Sequence, residues 1–240
     1  MSGPYAKHFI PLESNPEVFN ELIKHLGASD EIEFRDVFTL DEPELLPRPA
    51  LAVILVFPTT DSYNARNALL ESARVEYQGS GDGEPIVWLK QTINNACGLY
   101  AILHALSNGL VRTFIKPNSL LEHLLRDCIL RDPQERAKIL EASTELEQAH
   151  AAVAAKGETA APDSAEDEVD FHYICFVRSG KDGHLYELDG DSKGPIDTGV
   201  TLEAGQDLLC AEVLAVMRNY IDQEEDSIGF NIMALVKTGG

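Results

Sequence analysis

The sequence has little basic charge, and it lacks paired cysteines, long apolar runs and an N-terminal leader pattern. Its 240 residues include 19 Lys and Arg against 40 Asp and Glu, which gives a formal charge of −21. Such a field repels nucleic acid and anionic membranes and favours a basic partner. No apolar run has the length of a membrane span, and the first residues do not read as a signal peptide. We therefore expect no nucleic-acid partner and no membrane partner.

The cysteines are few and scattered. The four of them are Cys97, Cys128, Cys175 and Cys210, and no CxxC pair is present. This spacing argues against a disulfide framework and against a zinc site. We expect reduced, mostly buried thiols and a cytoplasmic protein, with the nucleus as a second compartment.

Apolar periodicity along the chain predicts a mixed fold. The predicted helices are 16–26, 62–77, 119–128, 133–148 and 203–221, and the predicted strands are 32–38, 50–57, 171–177, 184–189 and 229–236. Helices mixed with mostly antiparallel strands predict an α+β sandwich. The last strand is apolar and must join the central sheet, so we expect one domain over residues 1–240. Residues 149–168 have few large apolar side chains and predict a mobile loop or a weakly held helix.

The stretch KQTINNACGLYAILHAL, residues 90–106, changes from polar to apolar at a Cys–Gly pair. Cys97 falls at the predicted start of a helix, where the helix dipole and unpaired backbone N–H groups stabilise a thiolate. A packed, inert cysteine also fits this position. Gln91 favours the reactive alternative, because its amide and the Cys97 backbone N–H can together bind an oxyanion.

A cysteine nucleophile needs a base to take and return a proton. His172 opens the predicted strand FHYICFV, and the next strand ends in Asp189. If the hairpin folds about residues 180–181, paired residue numbers sum to 361, and His172 lies across from Asp189 with Cβ atoms about 5 Å apart. The carboxylate would then orient the imidazole. A register slip of one residue would separate the two side chains, and a routine polar pair is the alternative interpretation.

The other histidines are weaker candidates for the base. His104 lies seven residues after Cys97, about 10 Å away along the helix axis, so we expect a buried, hydrogen-bonded side chain. His184 begins the second strand of the hairpin without an acid facing it. The histidines expected at the surface are His8, His25, His123 and His150.

Taken together, these residues resemble the active-site signature of the ubiquitin C-terminal hydrolases, peptidase family C12. The likeness is dense from Gln91 to Ser107. VDFHYICFV and DGHLYELDG resemble the histidine and aspartate strands of the family, and FIPLESNPEVFNELIKHLG and LLPRPALAVILVFP resemble its N-terminal segments. The likeness covers essentially the whole chain and is closest to the compact single-domain type. It implies a papain-like cysteine-protease sandwich, with a central antiparallel sheet, flanking helices and a knotted backbone.

The resemblance also implies an activity and a role for each candidate residue. Cys97 would be the nucleophile, His172 the general base and acid, Asp189 the orienting carboxylate and Gln91 the oxyanion donor. The implied reaction removes small adducts or flexible extensions from the C-terminal glycine of ubiquitin through an acyl-enzyme on Cys97. It needs no metal and no organic cofactor.

Two surface features follow from the same resemblance. Residues 149–168 occupy the place of a crossover loop that restricts the leaving group. Four residues match positions where relatives touch ubiquitin, with core packing as the alternative: Pro11, Leu12, Val169 and Phe171.

The implied partner is ubiquitin, whose basic Gly-Gly tail suits an acidic monomer. Three alternatives remain open at this point. The first is a hydrolase that prefers the ubiquitin-like modifier NEDD8. The second is a protein that binds and sequesters ubiquitin with little turnover, and the third is a peptidase of ordinary peptides.

Overall fold

The computed structural model describes residues 5, 7–158, 162, 164–167, 169–223 and 229–239. Its α-helices are α1 (Pro16–Leu26), α2 (Asp61–Ala73), α3 (Cys97–Ser107), α4 (Leu120–Cys128), α5 (Pro133–Ala142), α6 (Thr144–Ala154) and α7 (Ala211–Asp222). Its strands are β1 (Lys7–His8), β2 (Ile32–Asp36), β3 (Ala50–Pro58), β4 (Ile93–Asn94), β5 (Phe171–Arg178), β6 (His184–Leu188), β7 (Ile196–Thr201) and β8 (Asn231–Lys237). Short 3₁₀ helices lie at Pro43–Leu45 and Gly109–Phe114. In this described part of the chain, no helix combines the length and the apolar character needed to cross a membrane.

The long strands form one antiparallel sheet in the order β2-β8-β3-β5-β6-β7, and β1 pairs with β4 in a short parallel ladder. Alternate side chains of β3 enter two separate apolar cores, with Ile54 and Val56 on one face and Leu55 and Phe57 on the other. Helices α1 and α3 cover the first face, and α7 covers the second. The predicted α+β sandwich is confirmed, β3 is buried on both faces, and the knotted path stays a prediction.

Helix α1 begins and ends at the residues that the sequence predicts. The side chain of Asn15 accepts a hydrogen bond from the backbone N–H of Glu17, and Pro16 occupies the first turn. Gly27 ends the helix with φ of 100°, a left-handed conformation that glycine adopts without strain.

Two predicted helices have different bounds in the structure. The predicted helix 133–148 is two helices, because the Ser143 hydroxyl accepts a hydrogen bond from the Leu146 backbone N–H and starts α6. Helix α6 then continues to Ala154, six residues into the segment 149–168, for which the sequence predicts a mobile loop or a weakly held helix. Its alanines are small enough to pack closely, and Val153 is fully buried.

The predicted helix 203–221 starts late, at Ala211. Residues before it form turns in which Asp207 Oδ1 accepts a hydrogen bond from the Leu209 N–H at 2.8 Å. Local side-chain acceptors of this kind compete with helix formation.

The β5–β6 hairpin has a different register from the predicted one. Cys175 pairs with Leu188 and Val177 with Tyr186, so paired numbers sum to 363 rather than 361. The turn is longer than expected, with Gly183 in a left-handed conformation at φ of 76°. The prediction that His172 and Asp189 lie directly opposite is therefore wrong. A shift of two residues nevertheless keeps both side chains on one face of the sheet.

Candidate active site

Cys97 is the first residue of α3, as the sequence predicts. Asn95 has a left-handed φ of 58° and turns the chain into the helix. Ala96 occupies the cap without a side-chain hydrogen bond, so the backbone N–H groups of the first turn keep their capacity to stabilise an anion. A Cβ at Gly98 would lie 3.3 Å from the Cβ of Leu12, so glycine lets the N-terminal segment approach the thiol.

His172 lies between the thiol and a carboxylate. Its Nε2 is 2.9 Å from Asp189 Oδ1, and hydrogen bonding with the Cys97 thiol is among the causes that raise its pKa. Strand β5 pairs His172 with Phe57 of β3, and the two rings meet edge to face with centroids 5.8 Å apart. The two catalytic candidates that the sequence places on the hairpin thus meet each other, and His172 also meets the candidate nucleophile.

The electrostatics of this triad favour a charged imidazole. Burial alone lowers the pKa of His172, but the charge and hydrogen bond of Asp189, with the hydrogen bond to Cys97, raise it well above its ordinary value. Burial raises the pKa of Asp189, but His172 and the backbone N–H of Asp191 outweigh it and hold that pKa below its ordinary value. An imidazolium beside Cys97 stabilises the thiolate.

Gln91 is buried against the residue that follows Asp189. Its backbone N–H donates to the Gly190 carbonyl at 2.8 Å. Its side-chain Nε2 donates to the Ile93 carbonyl at 3.2 Å, and because a primary amide carries two hydrogens, one remains for an oxyanion. A Cβ at Gly190 would lie 2.8 Å from the Gln91 Cβ, which explains the need for glycine beside the donor.

Residues 84–91, which we call the connector, are largely buried outside the main sheet, and side chains satisfy their backbone groups. Asn108 accepts from the Val87 N–H at 2.7 Å and donates to the Val87 carbonyl at 2.9 Å. His104 Nε2 accepts from the Leu89 N–H at 3.0 Å. The connector is therefore held in place up to Gln91.

His104 matches the expectation of a buried, hydrogen-bonded side chain. Burial lowers its pKa to about 4, so the ring stays neutral and able to accept the Leu89 bond at neutral pH. The expectation of a surface position for His150 is wrong. His150 is 2% exposed, shares a 2.7 Å hydrogen bond with the Ile10 carbonyl, and burial lowers its pKa to about 4.

An ion pair that the sequence does not predict anchors the connector from α5. Arg136 is fully buried and donates a bidentate pair of hydrogen bonds to Glu84. It also donates to the carbonyls of Trp88, Cys128 and Ile129, each at 3.1 Å. The two charges are 52 residues apart in the sequence, and only the tertiary fold reveals the pair.

A cavity of about 300 Å³ borders Cys97. Its lining includes the four predicted ubiquitin-contact residues, Pro11, Leu12, Val169 and Phe171. Leu12 is packed at 4% exposure, whereas Phe171 is 45% exposed and available to a partner. The structure thus brings these residues together beside the thiol.

The segment before β5 crosses close to the start of α3. Asn95 Nδ2 donates to the carbonyls of Ala165 at 3.0 Å and Asp167 at 2.7 Å. The predicted crossover loop also includes residues 159–161, 163 and 168, which lie outside the described residues.

Other titratable groups are less suited to chemistry at this site. Burial raises the pKa of Cys128 to about 11 and raises those of Cys175 and Cys210 as well. His184, for which the sequence offered no partner, lies 2.8 Å from Asp197 of β7 at the surface. Among the described residues, no group of three or more His, Cys, Asp or Glu is arranged to hold a metal ion.

Comparisons with known proteins agree with this geometry. The family model described as "Ubiquitin carboxyl-terminal hydrolase, family 1" matches residues 9–222. A probable ubiquitin carboxyl-terminal hydrolase of Dictyostelium discoideum is 35% identical over 96% of this chain and 89% of its own length. The human ubiquitin carboxyl-terminal hydrolase isozyme L1 is 34% identical over 95% of this chain and 97% of its own. The fold is similar to the catalytic domain of Trichinella spiralis UCH37 bound to ubiquitin vinyl methyl ester, with a TM-score of 0.72, 20% identity and 97% of both chains covered.

Proposed function

Because the chain belongs to family 1 of the ubiquitin carboxyl-terminal hydrolases, we propose that Cys97 cleaves the bond after the C-terminal glycine of ubiquitin. The Cys97 thiolate attacks the glycine carbonyl, while the Gln91 amide and the Cys97 backbone N–H stabilise the oxyanion. The His172 imidazolium gives its proton to the leaving group, and a thioester remains on Cys97. His172 then takes a proton from water, the resulting attack opens the thioester, and free ubiquitin and the thiol are restored.

The observation that carries this proposal is the contact of three groups from separate parts of the chain. His172 Nε2 lies 2.9 Å from Asp189 Oδ1, and the ring is the hydrogen-bonding partner of Cys97. The raised pKa of His172 supports an imidazolium beside the Cys97 thiol at neutral pH. Such a pair needs no metal and no organic cofactor to cleave an acyl bond.

The cavity beside Cys97 supports ubiquitin as the partner. We assign Pro11, Leu12, Val169 and Phe171 to the contact with ubiquitin, because they surround the entrance to the thiol. The net charge of −21 favours the approach of a basic Gly-Gly tail. Residues 1–240 would act as a single catalytic domain and a monomer, and four free thiols suit the reducing cytoplasm or nucleus.

A ubiquitin that carries a thiol-reactive group at its C-terminus tests the mechanism. The protein should form a one-to-one covalent adduct, visible by mass spectrometry, and Cys97→Ala should form none. The absence of an adduct, or an adduct that persists in Cys97→Ala, would remove the proposed nucleophile.

Fluorogenic C-terminal amides of ubiquitin and of NEDD8 test the substrate. We expect a higher kcat/KM for ubiquitin. Faster turnover of the NEDD8 amide would transfer the same mechanism to that modifier, and binding of ubiquitin without turnover would make the protein a sequestering factor. Cleavage of unstructured peptides alone would favour an ordinary peptidase.

A further inference from the structure

The single tryptophan of the chain lies behind the catalytic acid. Trp88 is fully buried, and its indole Nε1 donates to the backbone carbonyl of Asp189 at 2.9 Å. Asp189 lies just beyond β6, which ends at Leu188, so the sheet ladder does not fix this carbonyl. The same carbonyl accepts one longer bond, from the Ser192 N–H at 3.4 Å. The indole is therefore its better-placed donor.

Trp88 is itself held on two sides. Arg136 donates to its carbonyl at 3.1 Å while it pairs with the buried Glu84. The Tyr77 ring meets the indole edge to face, with centroids 6.1 Å apart, and its hydroxyl donates to Glu84 at 3.0 Å. An aromatic ring fixed in this way supplies a donor whose direction is set before substrate binds.

The same region of chain bonds the loop that follows Asp189 at two further points. The Gln91 N–H donates to the Gly190 carbonyl at 2.8 Å, and the Tyr77 N–H donates to the Lys193 carbonyl at 2.7 Å. The catalytic acid and the oxyanion donor are thus attached to one buried piece of backbone.

We propose that Trp88 is a positioning residue, whose indole N–H fixes the backbone of Asp189 so that its carboxylate meets His172. The inference rests on the proposed function of the triad, and it adds a residue that touches neither the substrate nor the reacting atoms.

The geometry predicts how the loss of this N–H changes the reaction. Asp189 would turn more freely, its bond to His172 would weaken, and the pKa of His172 would fall. Besides Asp189, the titratable groups that face the imidazole are Cys97, Tyr63 and Asp191. The groups that face the Asp189 carboxylate are His104, Asp191 and Glu187. These groups are unchanged by the substitution, so the shift reports the Asp189 contact.

Two variants remove the N–H with different amounts of disturbance. Trp88→Phe shortens the ring, and replacement of the indole by its benzothiophene isostere keeps the shape and removes only the donor. For both we expect kcat on the fluorogenic ubiquitin amide to fall about 3- to 10-fold, with KM unchanged. The alkaline limb of the pH–rate profile should move to lower pH.

Tyr186→Phe is the matched control. It removes a hydroxyl that donates to Asp182 at 3.0 Å, and Asp182 and Asp189 lie beyond opposite ends of β6. It should leave kcat and the pH profile at wild-type values. Wild-type profiles in both Trp88 variants would overturn the proposal. An equal loss of rate at every pH, without movement of the alkaline limb, would also overturn it.

A second measurement does not depend on turnover. One tryptophan gives one indole cross-peak in a ¹H–¹⁵N spectrum, and we expect its position to change with pH as His172 titrates. In His172→Phe this change should disappear. An indole peak that does not respond to pH in the wild-type protein would overturn the inference even if ubiquitin is cleaved. Conversely, a titrating peak in a protein that does not turn over ubiquitin would reject only the proposed function.

Discussion

Two stretches of chain lead into the proposed catalytic residues, and they are built in opposite ways. The connector, residues 84–91, precedes Cys97, and six of its eight residues are buried. The segment 155–170 precedes His172, and none of its described residues is buried. Arg136, Asn108 and His104 satisfy the backbone of the connector from within the core. The second segment is held by surface contacts such as the Asn95 amide.

The difference follows from what each stretch does. An oxyanion donor and a catalytic acid stabilise a transition state only when they are fixed in advance, which requires packing and satisfied hydrogen bonds. A segment that a leaving group must pass has to open at low cost, which requires few buried contacts. We expect variants of the connector to change stability and kcat, and variants of the second segment to change access.

The largest effect is expected from breaking the anchor of the connector. Arg136→Met leaves Glu84 buried without its partner, which costs about 3–5 kcal/mol in free energy of unfolding. Urea denaturation at pH 7 measures this change. The double variant Arg136→Met with Glu84→Leu should recover part of the loss, because no charge then remains unpaired. A single variant within about 1 kcal/mol of wild type would contradict a buried, coupled pair.

The next largest effect is expected at Gln91, the proposed oxyanion donor that the connector holds in place. Gln91→Ala should lower kcat about 100- to 1000-fold, because it removes one oxyanion donor. Its backbone N–H still bonds the Gly190 carbonyl, so the unfolding midpoint should change little. Gln91→Glu, which keeps the size but loses the donor, should be equally slow. A loss below fivefold in both variants would show that Gln91 does not bind the oxyanion.

A pH change tests the buried histidine that holds the connector together with the one in α6, the helix that ends just before the second segment. His104 holds the connector and His150 lies in α6, and burial lowers the pKa of each to about 4. Between the ordinary histidine pKa of about 6.5 and 4, the unfolded chain binds protons that the folded chain excludes, so stability falls as pH falls. Each histidine should cost about 2 kcal/mol between pH 7 and pH 5.

Urea unfolding at the two pH values measures this cost, and His150→Gln isolates the share of His104. The variant keeps a donor to the Ile10 carbonyl and should lose about 2 kcal/mol less than wild type. His172 acts with the opposite sign in both proteins. Because its folded pKa is raised, its stabilisation is complete below about pH 6.5 and is lost as pH rises through the folded value. Equal losses in variant and wild type would contradict the neutral, buried state of His150.

The smallest effect is expected where the exposed segment meets the start of α3. Asn95→Gly keeps the left-handed turn but removes the bonds to the carbonyls of Ala165 and Asp167. We expect turnover of ubiquitin fused to a folded domain to rise roughly fivefold relative to a small ubiquitin amide. Stability should change by less than about 1 kcal/mol. Asn95→Asp loses the side-chain N–H donor and should behave like Asn95→Gly. Unchanged hydrogen exchange at 164–167 in both variants would contradict the contact.

The sequence predicts the parts of the site whose signal lies within a few residues, or whose prediction survives a small error in strand register. Cys97 is found at a helix start because the change from polar to apolar residues is visible within a few positions. His172 and Asp189 meet although the predicted register is wrong by two residues. A strand has a side-chain period of two, so an even shift keeps both groups on one face.

Contacts between distant parts of the chain are not visible in the same way. Trp88 and Asp189 are 101 residues apart, and Arg136 and Glu84 are 52 apart. No periodicity links such pairs, because periodicity shows which residues share a face of one helix or strand and not which elements meet in the fold. The burial of His150 is hard to predict for a related reason, since its alanine neighbours give a weak apolar signal although Ala149 is buried beside it in α6.

Strand β8 lies between β2 and β3 in the sheet, and this order matters for folding during synthesis. A ribosome makes β2 and β3 long before it makes residues 231–237. Until then the edges of both strands carry unpaired backbone groups, which are prone to wrong pairing. Since β3 also pairs with the strand that bears His172, we expect a nascent chain to stay inactive until residues 231–237 have joined the sheet.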